Sequence, residues 1–183
     1  MLYPRWTGPI GEPKVLMGKP SLVNYIKTYN GRKQCLVSIY AFERFRNNKP
    51  YVQSALIDTL FTRGKPERMM EYLRLLDPRD IRYHAYYDGK EILLLVPLGT
   101  VVPSIRDEID SYECELGSKL GITFSTRTWD LMLWPRTWNP KARKYVVEVT
   151  GKDKIEDLDD LASKSIKRIN PNTKIIRSLY NES

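Results

Sequence analysis

The chain has 183 residues, of which 42% are hydrophobic and 28% charged, and 30 basic against 22 acidic residues give a net charge of +8. This length fits one domain with its own core, and the composition is that of a folded globular protein, which excludes a disordered chain. No run of 18 apolar residues occurs, so a transmembrane helix is excluded. The first residues lack an apolar signal segment, and two cysteines with a single histidine exclude a zinc ribbon. We therefore expect a cytoplasmic protein with reduced thiols.

Glycine and proline residues separate the predicted helices and strands. Residues 1–20 form an extended arm, Ser21 caps a helix that Asn30-Gly31 ends, and residues 35–42 form a strand. A strand at 51–61 and a helix from Pro66 to Asp77 follow. Strands at 81–87 and 91–97 come next, and Asp88-Gly89 predicts a type I′ turn between them. The remaining elements are a helix from Pro103 to Leu120, strands at 122–134 and 145–149, and a helix at 155–169.

Several of these elements have a predicted buried face. The run ILLLV in the strand at 91–97 indicates burial on both faces. Helical spacing predicts three sets of buried residues: Met69, Tyr72, Leu73 and Leu76; Ile105, Ile109, Tyr112, Leu116 and Leu120; and Leu158, Leu161, Ala162 and Ile169.

The order of elements predicts the fold class. Residues 51–134 read β-α-β-β-α-β, the order of an α+β, ferredoxin-like or RRM-like core with an antiparallel sheet and two helices on one face. The other face is then free for a ligand or for another layer. We expect three parts: a basic N-terminal arm and helix at 1–33, the core at 34–150 with its helix-strand extension, and a C-terminal helical tail at 151–183.

The excess positive charge lies at the front of the chain. Residues 1–50 contain nine basic and two acidic residues, while residues 51–100 and 101–150 each contain seven of both. A localised basic surface attracts phosphate, so this pattern favours a nucleic-acid partner. The alternative is a solvated basic face of the kind seen in thermophile proteins.

Two aspartates stand in otherwise apolar predicted strands. A buried carboxylate at Asp58 or Asp130 is costly unless it is paired or binds a metal. Two carboxylates on adjacent strands could hold a hard divalent cation such as Mg²⁺. The alternative is that each marks a strand end or pairs with an arginine, and Arg127 lies three residues before Asp130.

The segment LWPRTWNPKARK at 133–144 is the most distinctive stretch. It combines the cations Arg136, Lys141, Arg143 and Lys144 with Trp134 and Trp138. Cations suit phosphate and indole rings offer a stacking surface, so we predict that this basic loop joins the cations Arg32, Lys33, Arg44 and Arg46 along one nucleic-acid path. The alternative is an ordinary basic hairpin with tryptophans tucked beneath it. His84, in a strand among tyrosines, is interpreted as a packed or surface residue rather than a general base.

Motifs of several enzyme classes are missing from the sequence. Walker ATPases, dinucleotide enzymes, zincins and α/β-hydrolases lose support because no P-loop, GxGxxG, HExxH or GxSxG pattern is present.

Taken in order, four segments resemble the catalytic core of the archaeo-eukaryotic primase superfamily, especially the primase-polymerases of archaeal plasmids and viruses. The resemblance covers about residues 34–150. CLVSIYAFERF is similar to the strand before the first motif, SALIDTLF to the first motif, YYDGKEILLLVPL to the second and TRTWDLMLWPRTWNPK to the third. Three departures concern the metal-binding motifs: Asp58 has no second carboxylate beside it, ILLLV contains no histidine, and Leu133 replaces an arginine.

The resemblance implies a primase-like protein of DNA replication that binds single-stranded or primed DNA, or RNA, with weakened or lost catalysis, alongside another replication subunit and with no membrane partner. An alternative is an active primase or nucleotidyltransferase with Asp58 and Asp130 as catalytic residues and ligands of Mg²⁺ or Mn²⁺. A second alternative, an RRM-like RNA-binding module, is disfavoured because EILLLVP offers no aromatic platform for bases. A purely structural interaction protein is also open.

Overall fold

A computed structural model describes residues 4–8, 13–103, 107–125 and 127–164. The strands in these residues are β1 (Arg5–Trp6), β2 (Val15–Leu16), β3 (Leu36–Ser38), β4 (Ala41–Phe42), β5 (Phe45–Arg46), β6 (Lys49–Pro50), β7 (Ala55–Gly64), β8 (His84–Tyr87), β9 (Ile92–Pro103), β10 (Leu131–Leu133), β11 (Trp138–Asn139), β12 (Lys144–Tyr145) and β13 (Val147–Glu148). The helices are α1 (Lys19–Tyr29), α2 (Pro66–Leu76), α3 (Asp107–Leu120) and α4 (Leu158–Lys164). All the described strand pairs are antiparallel, so the α+β class is confirmed.

The central sheet has five strands in the order β13-β8-β9-β7-β4. The predicted succession β7-α2-β8-β9-α3 is present, and β8 and β9 form the expected hairpin, with the Asp88 N–H donating to the Glu91 carbonyl. A type I′ turn needs positive φ at both central residues, whereas here only Gly89, with φ of 97°, has it. The predicted turn type is therefore wrong, although the turn position is correct.

The fourth strand of the predicted ferredoxin-like order does not form in this sheet. Ser125 makes a single bridge to Phe61 of β7, and β10 pairs instead with β3. The first two residues of β7, Ala55 and Leu56, are already paired with β4. The segment at 35–42, predicted as one strand, is thus divided between two partners, and the complete RRM-like topology is not confirmed.

Both faces of the central sheet are covered by hydrophobic cores. Ile92, Leu94 and Val96 of β9 pack with α2 in one core. Leu95, on the opposite face of the same strand, packs in a second core with Leu22 of α1 and with residues of β3 and β10. The predicted burial of both faces of this strand is confirmed. The face left open by the sequence prediction carries another protein layer, which was one of the two alternatives for it.

The helix boundaries explain which residues reach these cores. α1 begins at Lys19 with Gly18 rather than Ser21 as its N-cap, because Pro20 already occupies the first turn, where the missing N–H costs nothing. The predicted inner face of α2 is confirmed, since Met69, Tyr72, Leu73 and Leu76 are buried.

The buried faces of the other two helices differ in part from the prediction. α3 buries Ile109 and Leu120 but exposes Tyr112, and Ile105 lies outside the described residues. Leu158 and Ala162 of α4 are buried, Leu161 is 40% exposed, and Ile169 lies outside the described residues. No helix in the part of the chain that the structure describes is both long and apolar enough to span a membrane.

Candidate functional site

Asp58 lies at an irregularity in β7 rather than inside a buried strand. The pairing of β7 with β9 shifts register between Ile57 and Thr59, and the Asp58 side chain is 47% exposed. Its Oδ2 lies 3.8 Å from Nη2 of Arg5, whose Nη1 donates hydrogen bonds to the carbonyls of Ser38 and Ile39. Asp58 therefore faces a guanidinium that the end of β3 holds in place.

Asp130 lies in the turn before β10, outside the strand predicted for it. Its side chain is 24% exposed, and Oδ2 lies 3.7 Å from Nε of Arg127. Pairing with this arginine was the alternative to metal binding in the sequence analysis. The Asp130 carbonyl accepts the N–H of Ile39, which ties this turn to the segment that holds Arg5. Both candidate carboxylates are thus paired with arginines beside the same stretch of chain.

Tyr40 is a buried residue that the charges of three carboxylates affect. Its ring is buried, and its pKa is raised mainly by burial and further by the negative charges of Glu113, Asp58 and Asp130. The structure therefore brings Asp58 and Asp130 to one region and adds Glu113 from α3. Glu113 was not predicted from the sequence, although its position four residues after the buried Ile109 places it on the same helix face.

The carboxylates do not form a ready centre for two divalent cations. Mg²⁺ requires several oxygen ligands in near-octahedral geometry, and a two-metal centre needs carboxylates that bridge both ions. Among the described residues, no group of three or more histidine, cysteine, aspartate or glutamate side chains is arranged to hold a metal ion. Asp58 and Asp130 also each have a guanidinium within 4 Å, which competes for the same oxygens.

Comparison with known proteins gives one distant structural similarity. No family model and no curated protein matches the chain. Among solved structures, the polymerase domain of ligase D from Mycobacterium tuberculosis in complex with DNA superposes with a TM-score of 0.47 at 11% identity, over 97% of this chain and 70% of that one. Similarity at that level is too distant to assign a function, which has to come from the residues themselves.

Two predicted cationic segments lie side by side. The Asn30 side-chain oxygen accepts the N–H of Trp138 at 2.9 Å, and Nε2 of Gln34 donates to Oδ1 of Asn139 at 3.0 Å. These bonds join the turn at 31–33 to the β11–β12 hairpin. The exposed cations Arg32 and Lys33 are on the first segment, and Lys141 and Arg143 are on the second. We call these four residues the joined cations.

The other two cations of the basic loop are less exposed than the joined cations. Nζ of Lys144 donates to Oγ of Ser163 at 2.7 Å and to the Asp159 carbonyl at 3.3 Å, which fastens the hairpin to α4. Arg136 is half-buried; its backbone N–H donates to the Val146 carbonyl, while Nη1 of its guanidinium is buried with no hydrogen-bond partner among the described residues. The role of both residues in nucleic-acid binding stays a prediction, and the contacts of Lys144 also favour a structural role for that lysine.

Arg44 and Arg46 lie at a separate hairpin, β5–β6. Its two central residues, Asn47 and Asn48, have φ of 51° and 59°, the positive values that a type I′ turn requires and that asparagine tolerates. Both arginines are exposed. No hydrogen bond among the described residues joins this hairpin to the joined cations, so it offers a second cationic position.

The tryptophans differ in their exposure. Trp134 is 1% exposed and belongs to the core, while Trp138 is half-buried with its ring centroid 4.7 Å from that of Tyr145. Trp129 is 44% exposed, rests edge-on against Trp6 at 5.4 Å and precedes Asp130. Trp129 was not predicted as a stacking residue, although it stands in the third of the primase-like segments.

Proposed function

We propose that the chain is a primase-like nucleic-acid-binding protein of DNA replication with weakened or lost catalysis. The observation that carries this proposal is the hydrogen bonding of Asn30 and Gln34, which flank the turn at 31–33, to the β11–β12 hairpin, because it places the joined cations on neighbouring exposed segments. Cations placed in this way suit the regular charges of a nucleic-acid backbone. The order of the four primase-like segments supports the replication role.

The ion pairs of the two carboxylates support the loss of catalysis. Arg5 and Arg127 supply the positive charge that a metal ion supplies in a working nucleotidyltransferase. Arg5 is anchored by two backbone carbonyls, so moving it away from Asp58 requires breaking both hydrogen bonds.

Salt-dependent binding tests the nucleic-acid role. We expect the chain to bind single-stranded DNA or RNA oligonucleotides in fluorescence anisotropy, with affinity that falls as salt rises. Arg32→Gln/Lys141→Gln, which removes one cation from each joined segment, should weaken binding to every oligonucleotide. It should also flatten the slope of log affinity against log salt by about 0.7–0.9 for each phosphate that the variant no longer neutralises.

The control for this experiment removes the same charge elsewhere. Lys152→Gln/Lys154→Gln changes two exposed lysines near the start of the C-terminal segment and should leave the slope nearly unchanged. If the unmodified chain shows no salt-dependent binding to DNA or RNA, the proposed function is wrong.

Trp129 supplies the stacking surface in this proposal. Trp129→Ala should reduce affinity for single strands by about 1–3 kcal/mol without changing the salt slope, because stacking involves no phosphate. Trp138→Ala, at the tryptophan predicted from the sequence, is the comparison and should reduce affinity less, because Trp138 is less exposed than Trp129. A loss of thermal stability in Trp129→Ala with unchanged affinity would remove the stacking role.

A second candidate is an active nucleotidyltransferase that uses Mg²⁺ or Mn²⁺. It is favoured by one observation: Arg5, the partner of Asp58, donates to the Ile39 carbonyl, and the Ile39 N–H donates to the Asp130 carbonyl, so both aspartates lie beside the same residue. Extension of a primed template in the presence of either metal, abolished in Asp58→Ala and retained in Asp157→Ala, would support this candidate over the first. Asp157 is an exposed aspartate far from Tyr40 in the sequence.

A further inference from the structure

A cavity of about 550 Å³ opens where the end of β7 meets the start of α2. Arg63 and Gly64 end the strand, Lys65 connects it to the helix, and Arg68 lies in the first turn of α2. Residues 123–125 and Arg127 also line it. We call this space the α2 cavity; it is separate from the joined cations.

The charges around the α2 cavity are of one sign. Four of its lining residues are cations, namely Arg63, Lys65, Arg68 and Arg127, and none of the described residues that line it is an aspartate or glutamate. Three residues that carry hydroxyl groups, Thr62, Thr123 and Ser125, also line it. Asp130 neutralises only part of this charge, through its pairing with Arg127.

Three of the cations contact other groups of the protein, and two of these, Arg63 and Arg68, are held by hydrogen bonds of 3.0 Å or less. Nη2 of Arg63 donates to the Leu131 carbonyl at 2.7 Å, and Arg68 donates twice to the Tyr72 hydroxyl, at 3.0 and 2.8 Å. Nε of Arg127 lies 3.4 Å from Oγ of Ser125. Guanidinium groups fixed in this way lose little freedom when an anion arrives, and their planar N–H pairs match phosphate oxygens.

The balance of charge identifies the class of anion. Four cations, with Asp130 paired to Arg127 and Glu67 next to Arg68 in the first turn of α2, still leave an excess of positive charge that a single carboxylate ligand would not neutralise. Phosphoryl groups carry more negative charge and accept several hydrogen bonds from arginine, lysine and hydroxyl donors. The volume is sufficient for more than one such group. The positive end of the α2 dipole adds to the attraction.

We propose that the α2 cavity is a binding subsite for phosphoryl groups, either those of a free nucleotide or those of a nucleic-acid strand. This deepens the proposed function, and it rests on that function for the nucleotide or strand that carries the phosphate. The subsite includes Arg127, so an occupying phosphate would draw this guanidinium away from Asp130.

Calorimetric titration with inorganic tripolyphosphate at constant ionic strength tests the subsite directly. We expect the unmodified chain to bind it, and Lys65→Gln/Arg68→Gln to bind at least about tenfold more weakly because two charged donors are removed. Lys152→Gln/Lys154→Gln removes equal charge outside the cavity and should bind as the unmodified chain does.

A second variant and a measurement of folding separate loss of binding from loss of structure. Arg68 also bonds Tyr72, so thermal unfolding is measured for every variant. Lys65→Glu reverses the charge of the exposed lysine in the cavity and should weaken binding as well, while Lys154→Glu should not. Equal affinity of the folded unmodified chain and folded Lys65→Gln/Arg68→Gln would overturn the proposal.

Competition with a labelled single-stranded oligonucleotide distinguishes the two sources of phosphate. Displacement by tripolyphosphate assigns the cavity to the strand, and simultaneous binding of both assigns it to a free nucleotide. Oligonucleotide binding without tripolyphosphate binding overturns the subsite but leaves the proposed function. Tripolyphosphate binding that depends on Lys65, without oligonucleotide binding, supports the subsite and removes the proposed function.

Discussion

Asn139 shows how one buried amide can hold the cationic segments together. It is 4% exposed; Nδ2 donates to the Asp88 carbonyl at 2.8 Å, and Oδ1 accepts from Gln34 and from the N–H of Lys141. Asn139→Ala should lower the free energy of unfolding by about 1–3 kcal/mol, because it leaves these groups without their partner. Urea denaturation measures this change.

The matched control is Asn24→Ala, at an exposed position of α1 that should have little effect on stability. If both variants unfold at the same urea concentration, the amide does not hold the segments together.

His84 makes stability depend on pH near neutrality. Burial lowers its pKa below the usual value, with a smaller lowering by Arg82 and an opposing effect of Glu148. As pH falls through about 6.5 the unfolded chain binds this proton before the folded chain does, so the free energy of unfolding decreases. Denaturation of His84→Gln should show a smaller decrease between about pH 7.5 and 5.5 than the unmodified chain. An identical pH dependence of the two would contradict this role.

At the scale of elements, α4 depends on a short apolar face. Leu158 is 2% exposed and packs in the core with α2, whereas Leu161 of the same helix is 40% exposed. Leu158→Ala should reduce the free energy of unfolding by about 2–5 kcal/mol through the cavity it leaves. Leu161→Ala should change it by less than about 0.5 kcal/mol. Similar losses in the two variants would mean that α4 packs with a different face.

The elements that could be predicted well are those with local signals. Pro66 begins α2, the turn at Asp88-Gly89 joins β8 to β9, and apolar spacing identifies the buried face of α2. The partner of β10 was not predictable in this way, because pairing with β3 or with β7 depends on backbone groups remote in the chain.

In the candidate site as well, contacts between residues close in the sequence could be predicted, and contacts between distant segments could not. The pairing of Arg127 with Asp130 follows from their spacing in the sequence, where it was one of the alternatives. The pairing of Arg5 with Asp58 joins distant segments and could be seen only after folding. The exposure of Asp58 also depends on the irregularity in β7, which no glycine or proline in the sequence marks.

At the scale of the whole molecule, the two cores share β9, so we expect them to unfold as one unit. Leu94 and Leu95 are adjacent and buried on opposite faces, in different cores. Trp6 and Trp134 belong to the core that contains Leu95, while the described members of the other core include no tryptophan. Leu94→Ala should therefore shift the unfolding midpoint seen by tryptophan fluorescence as much as that seen by circular dichroism.

A fluorescence midpoint that stays in place in Leu94→Ala, while the circular dichroism midpoint falls, would show that the cores unfold separately. Leu95→Ala is the comparison, since its side chain packs directly in the tryptophan-containing core.

Because both faces of the sheet are covered, the sheet cannot recognise the base sequence of a nucleic acid. An open sheet face discriminates among bases by stacking and by hydrogen bonds to their edges, but here both faces of β9 are occupied by side chains of the protein itself. A strand that binds the joined cations or the α2 cavity meets groups suited to its phosphates, which are the same in every sequence. Under the proposed function, the chain would not by itself select a specific nucleotide sequence. Selection of a particular site would then require a partner protein.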